Sequence, residues 1–260
     1  MVVFADKSRK TELIEIWQRS FGDTEEYIRM FFEWNFDKIK IIICEVKGKA
    51  VSVAYLLPVT YEKEGQVPIA CWYLYAAATL PEFRGFGYFG EIMKFIHDNV
   101  DEPVLLVPGE PSLVSFYEKM NMQVWLEEKM LDVTLDSKTS AVMRDITPHD
   151  YALKREKSLL KDGYIKWDEH FMDYICHENM VCGGFQKSIM INDVEYIVMY
   201  RQEGDSVRVL EVLPQAKPCI QHLLKETGCK RAKVCLQPTV MVTKKFEVNK
   251  NRGYFNLTLG

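Results

Sequence analysis

The sequence predicts an α/β protein of the α+β kind: a mixed, mostly antiparallel central sheet flanked by helices, followed by a second domain of similar plan. Three observations point there. The chain has 260 residues, more than the ~100–200 of a typical domain. β-Branched runs joined by short turns form a meander after the first two helices. The order helix, helix, meander, helix, strand then recurs in the second half. That recurrence reads either as two copies of one architecture with little residue identity or as coincidence between two ordinary α/β stretches.

Ile14, Trp17 and Phe21 recur at helical spacing, and Asp23 with Glu26 reads as the start of a second helix carrying Tyr27, Ile28, Phe31 and Phe32 on one side. Strands are expected over 39–46, 50–59 and 69–79, with a turn at Lys47-Gly48-Lys49. After Leu80-Pro81-Glu82-Phe83, the residues Phe89, Ile92, Met93, Ile96 and Val100 make one apolar stripe of a helix. Val104 to Val107 is wholly apolar, as a central strand is. A helix over 112–120 and a final strand over 124–135 complete the first half, and Asp136 to Ser140 is a polar linker. The expected domains are therefore 1–136 and 141–260. The second holds helices near 150–160 and 167–177, a hairpin turning at Asn192-Asp193, a strand over 206–213, a helix over 219–227 and a strand over 230–236.

Hydrophobic residues make up 48% of the chain and charged residues 27%, so a core forms without staples. The net charge is -4, without the clustered Lys and Arg of a nucleic-acid footprint. Seven cysteines, an odd number with no C-x-x-C pair, read as reduced, mostly buried thiols. Cys176-His177 with Cys182 lacks metal-ligand spacing, so no metal is expected. No basic region leads into a long apolar run, and no apolar stretch approaches the ~20 residues that span a bilayer. The expectation is a cytoplasmic protein with no membrane partner.

The chemistry concentrates in Ala76-Ala77-Ala78-Thr79-Leu80-Pro81-Glu82-Phe83-Arg84-Gly85-Phe86-Gly87-Tyr88-Phe89-Gly90. A strand runs into a glycine loop that opens a helix. Glycines let backbone amides approach a ligand, and a helix start offers unpaired N–H groups at the positive end of the dipole. Arg84 adds a permanent charge. The bland alternative is a tight turn that uses glycine only for its backbone angles. Gly85 to Gly90 also matches G-x-G-x-x-G, with Glu110 twenty residues past Gly90 where a ribose-binding acid would sit, so an NAD- or FAD-dependent oxidoreductase is an alternative. Against it, the loop follows an antiparallel meander and precedes one short parallel strand.

Arg84-Gly85-Phe86-Gly87 resembles the first part of the R/Q-x-x-G-x-G/A signature of the GNAT acetyltransferase superfamily, with Phe89 at the usual small position and Gly90 one place later. Ser115-Phe116-Tyr117-Glu118-Lys119-Met120-Asn121-Met122 is similar to the family's F/L-Y-x-K-x-G-F segment. Asn121 stands for glycine there and tolerates the left-handed conformation. The two-copy layout most resembles the tandem acetyltransferases of the enhanced-intracellular-survival type.

The resemblance implies an acetyl-CoA-dependent N-acetyltransferase acting on a primary amine of a small molecule or peptide. The coenzyme's pyrophosphate would lie on the amides of Gly85, Phe86, Gly87, Tyr88, Phe89 and Gly90 beside Arg84. Its pantetheine arm would run along Ala77, Ala78 and Thr79 as an added strand. By matching position Tyr117 is the implied general acid, its alternative role being core packing with a satisfied hydroxyl. Glu110 is a tentative substrate-side carboxylate, with a solvated loop position as its alternative. A non-catalytic acyl-CoA-binding module remains a further reading. In the second half the equivalent loop, Leu213-Pro214-Gln215-Ala216-Lys217-Pro218-Cys219, has no glycine and two prolines without N–H donors. The second domain is accordingly expected to be degenerate and catalytically silent.

Overall fold

The computed structural model describes residues 1–136, 141–246 and 249–259. Its elements in chain order are β1 (Val2–Phe4), α1 (Lys10–Phe21), α2 (Glu25–Asn35), β2 (Lys40–Val46), β3 (Lys49–Glu62), β4 (Ile69–Thr79), α3 (Tyr88–Asn99), β5 (Val104–Leu106), α4 (Val114–Glu118), β6 (Met122–Leu126) and β7 (Lys129–Thr134). There follow β8 (Val142–Asp145), α5 (Pro148–Leu159), β9 (Tyr164–Lys166), α6 (Glu169–Val181), β10 (Gly184–Ile191), β11 (Val194–Glu203), β12 (Ser206–Leu213), α7 (Lys217–Thr227), β13 (Arg231–Gln237) and β14 (Val240–Thr243).

The chain divides into two compact units. The first contains Met1–Val59, Ala70–Gln123 and Met241–Glu247, and the second Thr60–Ile69, Val124–Val240 and Val248–Gly260. Most of the expected linker, 137–140, lies outside the described residues.

In the first unit β1, β2 and β3 are antiparallel neighbours, β4 follows β3, and β4 pairs in parallel with β5. The next strand beyond β5 comes from far along the chain: β14 runs antiparallel to it, with Met241 opposite Leu106. Thr243 fixes this insertion by accepting the Val104 amide on its hydroxyl at 3.1 Å. The apolar stripe of α1 and α2 meets the sheet through an aromatic cluster in which Trp17 lies 4.8 Å from Phe31, 5.3 Å from Tyr55 and 5.7 Å from Tyr75. The α2 cap is Thr24, whose hydroxyl accepts from the Tyr27 amide, and not Asp23; that carboxylate instead takes the Trp17 indole N–H at 2.8 Å. Burying a tryptophan N–H needs an acceptor, and Asp23 is the acid that reaches it.

The second unit carries a sheet in the order β7-β13-β12-β11-β10-β8. β10 and β11 form the expected hairpin, and Asn192 and Asp193 both adopt the positive φ that such a two-residue turn requires. One face is covered by α7, with Leu223, Leu224 and Ile220 packed on Val209, Val212 and Val234. On the other side α5 and α6 pack together and reach β11 and β10.

The single strand expected over 124–135 is two strands, β6 and β7. Glu127 and Glu128 break the run, and β7 pairs antiparallel with β13 in the second sheet. The helix expected over 112–120 is shorter: a 3-10 turn, Pro111–Leu113, leads into the five residues of α4. Strands β1, β8, β9 and β14 are too short, at three or four residues, to show a period in the sequence.

Candidate active site

β4 is the strand that shapes the site. Its parallel register with β5 covers Trp72 opposite Val104 and Tyr73 opposite Leu105, and β5 ends one residue later at Leu106. β4 continues to Thr79, so its last turn of chain runs on past the end of its neighbour. Within that stretch Ala76 has φ 44, a left-handed conformation that costs an L-residue about 1–2 kcal/mol. Such a residue breaks the pleat as a bulge does, re-aiming the groups on either side. The burial pattern confirms it: Tyr73 and Leu74 are both buried, and Tyr75, Ala76 and Ala77 are all half-buried, with no alternation. The far end of β4 is tied down. The Ser52 hydroxyl donates to the Ala78 carbonyl at 2.9 Å and lies 2.8 Å from the Thr79 hydroxyl, and Leu80 N donates to Val51 O at 2.9 Å.

The glycine loop follows at once. A 3-10 turn, Pro81–Phe83, carries the chain over, and Arg84 Nε donates to the Thr79 carbonyl at 3.0 Å. That bond folds the loop back on the strand end and leaves the rest of the guanidinium exposed. Gly85 and Gly87 have φ 84 and 85, where a side chain would be strained. A Cβ added to either would meet no heavy atom within 4 Å, so the space in front of both is open. Gly87 is the N-cap of α3 and no side chain caps the helix. The first amides of α3 therefore lack the side-chain acceptor that helix starts usually carry. Gly90 differs: a Cβ there would reach Met120 Cε at 4.0 Å, an ordinary contact. Phe86 stands exposed between the two left-handed glycines, 6.1 Å from the Tyr88 ring.

Tyr117 is buried on α4, edge-on to Phe116 at 5.4 Å and to Phe89 of α3 at 6.2 Å. Burial pushes its hydroxyl above the ordinary value of 10.0. Burial does the same to Tyr73 on β4, with the nearby Tyr117 adding to it. The turn after α4 is locked to α3 by His97, whose Nε2 lies 2.9 Å from the Met120 carbonyl. Asn121 next to it has φ 65, the conformation the family's glycine would take. Glu110 is exposed at the start of the turn before α4, its carboxylate accepting from the Ser112 hydroxyl at 3.2 Å.

The structure thus brings Ala77, Ala78, Thr79, Arg84 and the segment Gly85 to Gly90 into one strand–loop–helix unit. Tyr117 joins them through Phe89, and Glu110 sits on the exposed loop after β5. Sequence reading missed Ala76 as a bulge and Ser52 as the clasp on the strand end. The run of three alanines marks a close approach but carries no sign of a positive φ. Among the described residues no group of three or more His, Cys, Asp or Glu is placed to hold a metal ion, and no helix is long and apolar enough to cross a membrane. Cys44, Cys71, Cys176, Cys219 and Cys229 are buried free thiols, Cys235 is half-buried and Cys182 is exposed.

Residues 3–124 match the family model of the acetyltransferase (GNAT) domain. The first half of this chain is a GNAT domain. No curated protein sequence matches the chain. Solved GNAT structures share its fold over nearly the whole length. A probable N-acyltransferase from Enterococcus faecalis V583 superposes with TM-score 0.73 at 12% identity, covering 93% of this chain and 72% of that one. Eis1 from Mycobacterium abscessus gives 0.63 at 11% identity, covering 92% and 66%. A tandem GNAT protein from the clavulanic acid biosynthesis pathway gives 0.53 at 9% identity, covering 96% and 99%. At these identities the likeness is one of fold, and it extends to both units. A doubly wound dinucleotide fold needs a series of parallel strands, whereas the GNAT meander ahead of this glycine loop is antiparallel.

Proposed function

We propose that the chain is an N-acetyltransferase that moves an acetyl group from acetyl-CoA to a primary amine by direct attack on the thioester. The observation that carries this reading is the uncapped start of α3 behind two left-handed glycines with open space in front. Backbone amides that point into open space at the positive end of a helix suit a diphosphate. In this reading Gly85, Phe86, Gly87, Tyr88, Phe89 and Gly90 hold the diphosphate. Arg84 adds charge, and Ala77, Ala78 and Thr79 bear the pantetheine arm along the free end of β4. Acetyl-CoA supplies an activated acyl group and a thiol leaving group.

The chain's own residues have three tasks. Ala76, by its left-handed turn, re-aims the β4 amides so that they can donate to a developing oxyanion. Tyr117 holds a proton for the departing sulfur. In water that transfer is uphill, from a tyrosine near 10 to a thiolate near 8.5. Burial raises Tyr117 further, and the same desolvation raises the proton affinity of a thiolate beside it. Because the shift is upward, Tyr117 stays protonated throughout the neutral range, and the pH profile below about 10 reports other groups. Glu110 is proposed as a carboxylate for the incoming ammonium. The domain assignment is part of the same reading: 1–136 as the catalytic domain, and 141–260 as a degenerate GNAT-like domain without a coenzyme loop.

Two measurements test this. Acetyl-CoA at a hundred times its Kd stabilises the folded chain by about 2.7 kcal/mol and raises Tm by several degrees; NADH leaves Tm unchanged. The reverse pattern ends the proposal. Thiol release across an amine panel then reads turnover. Tyr117→Phe lowers kcat by about 100-fold with KM for acetyl-CoA held, and full activity in that variant removes Tyr117 from the chemistry.

A further inference from the structure

We infer that Arg84 does more than add charge: it is a positioning residue that braces the free end of β4 against the coenzyme's diphosphate. In the acetyl-CoA reading, on which this rests, the pantetheine arm lies along that strand end and the diphosphate on the loop that follows it. Arg84 stands between the two.

The bond from Arg84 Nε to the Thr79 carbonyl, at 3.0 Å, reaches back along the chain to the last residue of β4. It serves a carbonyl that the sheet leaves over. The preceding carbonyl, that of Ala78, accepts from Ser52 of β3, and the Leu80 amide donates to Val51 of β3. Backbone groups of successive residues in a strand point to opposite sides, so the Thr79 carbonyl faces away from β3. On that side β5 has ended at Leu106, and its register with β4 covers Trp72 and Tyr73. A carbonyl with no strand beside it needs another donor, and Arg84 is that donor. It fixes the direction of the strand end.

The rest of the guanidinium is uncommitted. The other arginines of the first unit each pair with an acid: Arg9 with Glu12 and Glu45, Arg19 with Glu15 and Glu82, and Arg29 with Glu25. Among the described residues no acid pairs with Arg84, which is exposed. A guanidinium carries five N–H donors in one plane. With Nε held on the strand, the Nη groups form a pre-set fork, and such a fork suits two oxygens of a phosphate group. Gly85, with its positive φ and open space, is the next residue. Much of the side chain's rotamer freedom is lost before the coenzyme arrives, which lowers the cost of binding.

Two substitutions in the full chain separate brace from charge. Glutamine carries its Nε2 as many bonds from Cα as arginine carries its Nε, so Arg84→Gln keeps a donor for Thr79 and loses the charge. Arg84→Lys keeps the charge but has a methylene at that place, with one ammonium a bond farther out. The position is exposed, so both variants fold, and the Tm of the free proteins checks this. Calorimetry with coenzyme A reads binding. Thiol release reads turnover with acetyl-CoA and with S-acetylpantetheine, a donor without phosphate. The expected Kd for coenzyme A is about tenfold weaker in both variants, with kcat at saturating acetyl-CoA within about twofold of wild type. With S-acetylpantetheine, Arg84→Gln stays within about twofold of wild-type kcat/KM and Arg84→Lys falls about fivefold or more, because only the brace matters to that donor. If Arg84→Lys binds coenzyme A as tightly as wild type, Arg84 acts as a charge alone and the inference is overturned. It is overturned too if both variants turn over S-acetylpantetheine equally. Should wild type not use S-acetylpantetheine, the coenzyme A affinities decide alone. A wild type that binds no coenzyme A removes the acetyl-CoA reading itself, and the brace with it.

Discussion

A strand, a loop, a helix and a parallel strand occur in each unit, and at the strand end and the loop the two versions are built for opposite ends. In the first unit β4 leads through Gly85 and Gly87 to α3 and β5; in the second β12 leads through Pro214 to α7 and β13. The first loop leaves the start of α3 without a side-chain cap, behind left-handed glycines. The second places a proline in the first turn of α7, with Ala216 extended ahead of it, and so removes a donor where the first loop presents several. The strand ends differ too. β4 finishes Ala76-Ala77-Ala78-Thr79. β12 has a register shift against β11, with Met199 opposite Glu211 and Tyr200 opposite Val209, and it finishes Glu211-Val212-Leu213. Glu211 is fully buried under Tyr151, Arg155 and Tyr254. The same backbone plan ends in small side chains in one unit and in a buried polar cluster in the other.

The largest expected effect breaks the filled side. Glu211→Ala strands Arg155 as a buried charge and removes the acceptor of two buried hydroxyls, at a cost of about 3–5 kcal/mol. Chemical denaturation should show that loss with the urea m-value unchanged. The cluster also fixes the alkaline limit. Burial first, and Glu211 next, raise Tyr151 and Tyr254 well above 10.0. Groups whose folded pKa is raised contribute stability that is complete below their unfolded value and disappears as pH rises through the folded one. The contribution of these two tyrosines should therefore be lost only above about pH 10, with tyrosinate absorbance appearing as the chain unfolds. A variant no less stable than wild type would show that the cluster does not hold the second unit together.

The next effect breaks the open side. Gly87→Val puts a β-branched side chain at φ 85 and a methyl pair into the space before the α3 amides. Losing two charge-assisted hydrogen bonds to the diphosphate, at about 1.5 kcal/mol each, raises KM for acetyl-CoA by about 100-fold. Gln215→Val, at the matching loop of the second unit, should leave KM unchanged. Equal sensitivity of both loops, or of neither, would erase the proposed division of labour.

How much of this was legible before the structure follows from what each feature costs in sequence. The glycine loop announces itself because only glycine sits comfortably at positive φ, and α3 because its apolar stripe is long and regular. The second unit's blank loop is equally plain, since proline is the residue that removes an N–H. The exchange of β14 into the first sheet leaves no such trace: two of its four buried residues pair across more than a hundred positions, and nothing local to Val240–Thr243 names Leu105 and Leu106 as partners. The buried Arg155–Glu211 pair is hidden for the same reason. Each looks like a surface charge until α5 is laid on β12. β6 and β7 merged in the reading because two glutamates between apolar residues interrupt a strand no more visibly than an exposed strand face does.

The smallest effect concerns Ala76, the point where the two strand ends part most finely. Leu210, the residue skipped in the β12 register, keeps a negative φ, whereas Ala76 does not. Ala76→Gly removes about 1–2 kcal/mol of left-handed strain and adds back about 0.5–1 kcal/mol of chain entropy, so the net change is a gain of about 0–1.5 kcal/mol in stability. Ala76→Val faces the strain without relief and adds a branched Cβ where φ is positive. It should lower Tm by a few degrees and lower kcat/KM by more than its stability loss explains, because the bulge must flatten to accept it and the β4 amides then turn away. If instead Ala76→Val keeps full activity, the left-handed turn is a packing accident and the oxyanion donors lie elsewhere. If Ala76→Gly is the more damaging of the two, the turn is held by the alanine methyl and not merely tolerated by it.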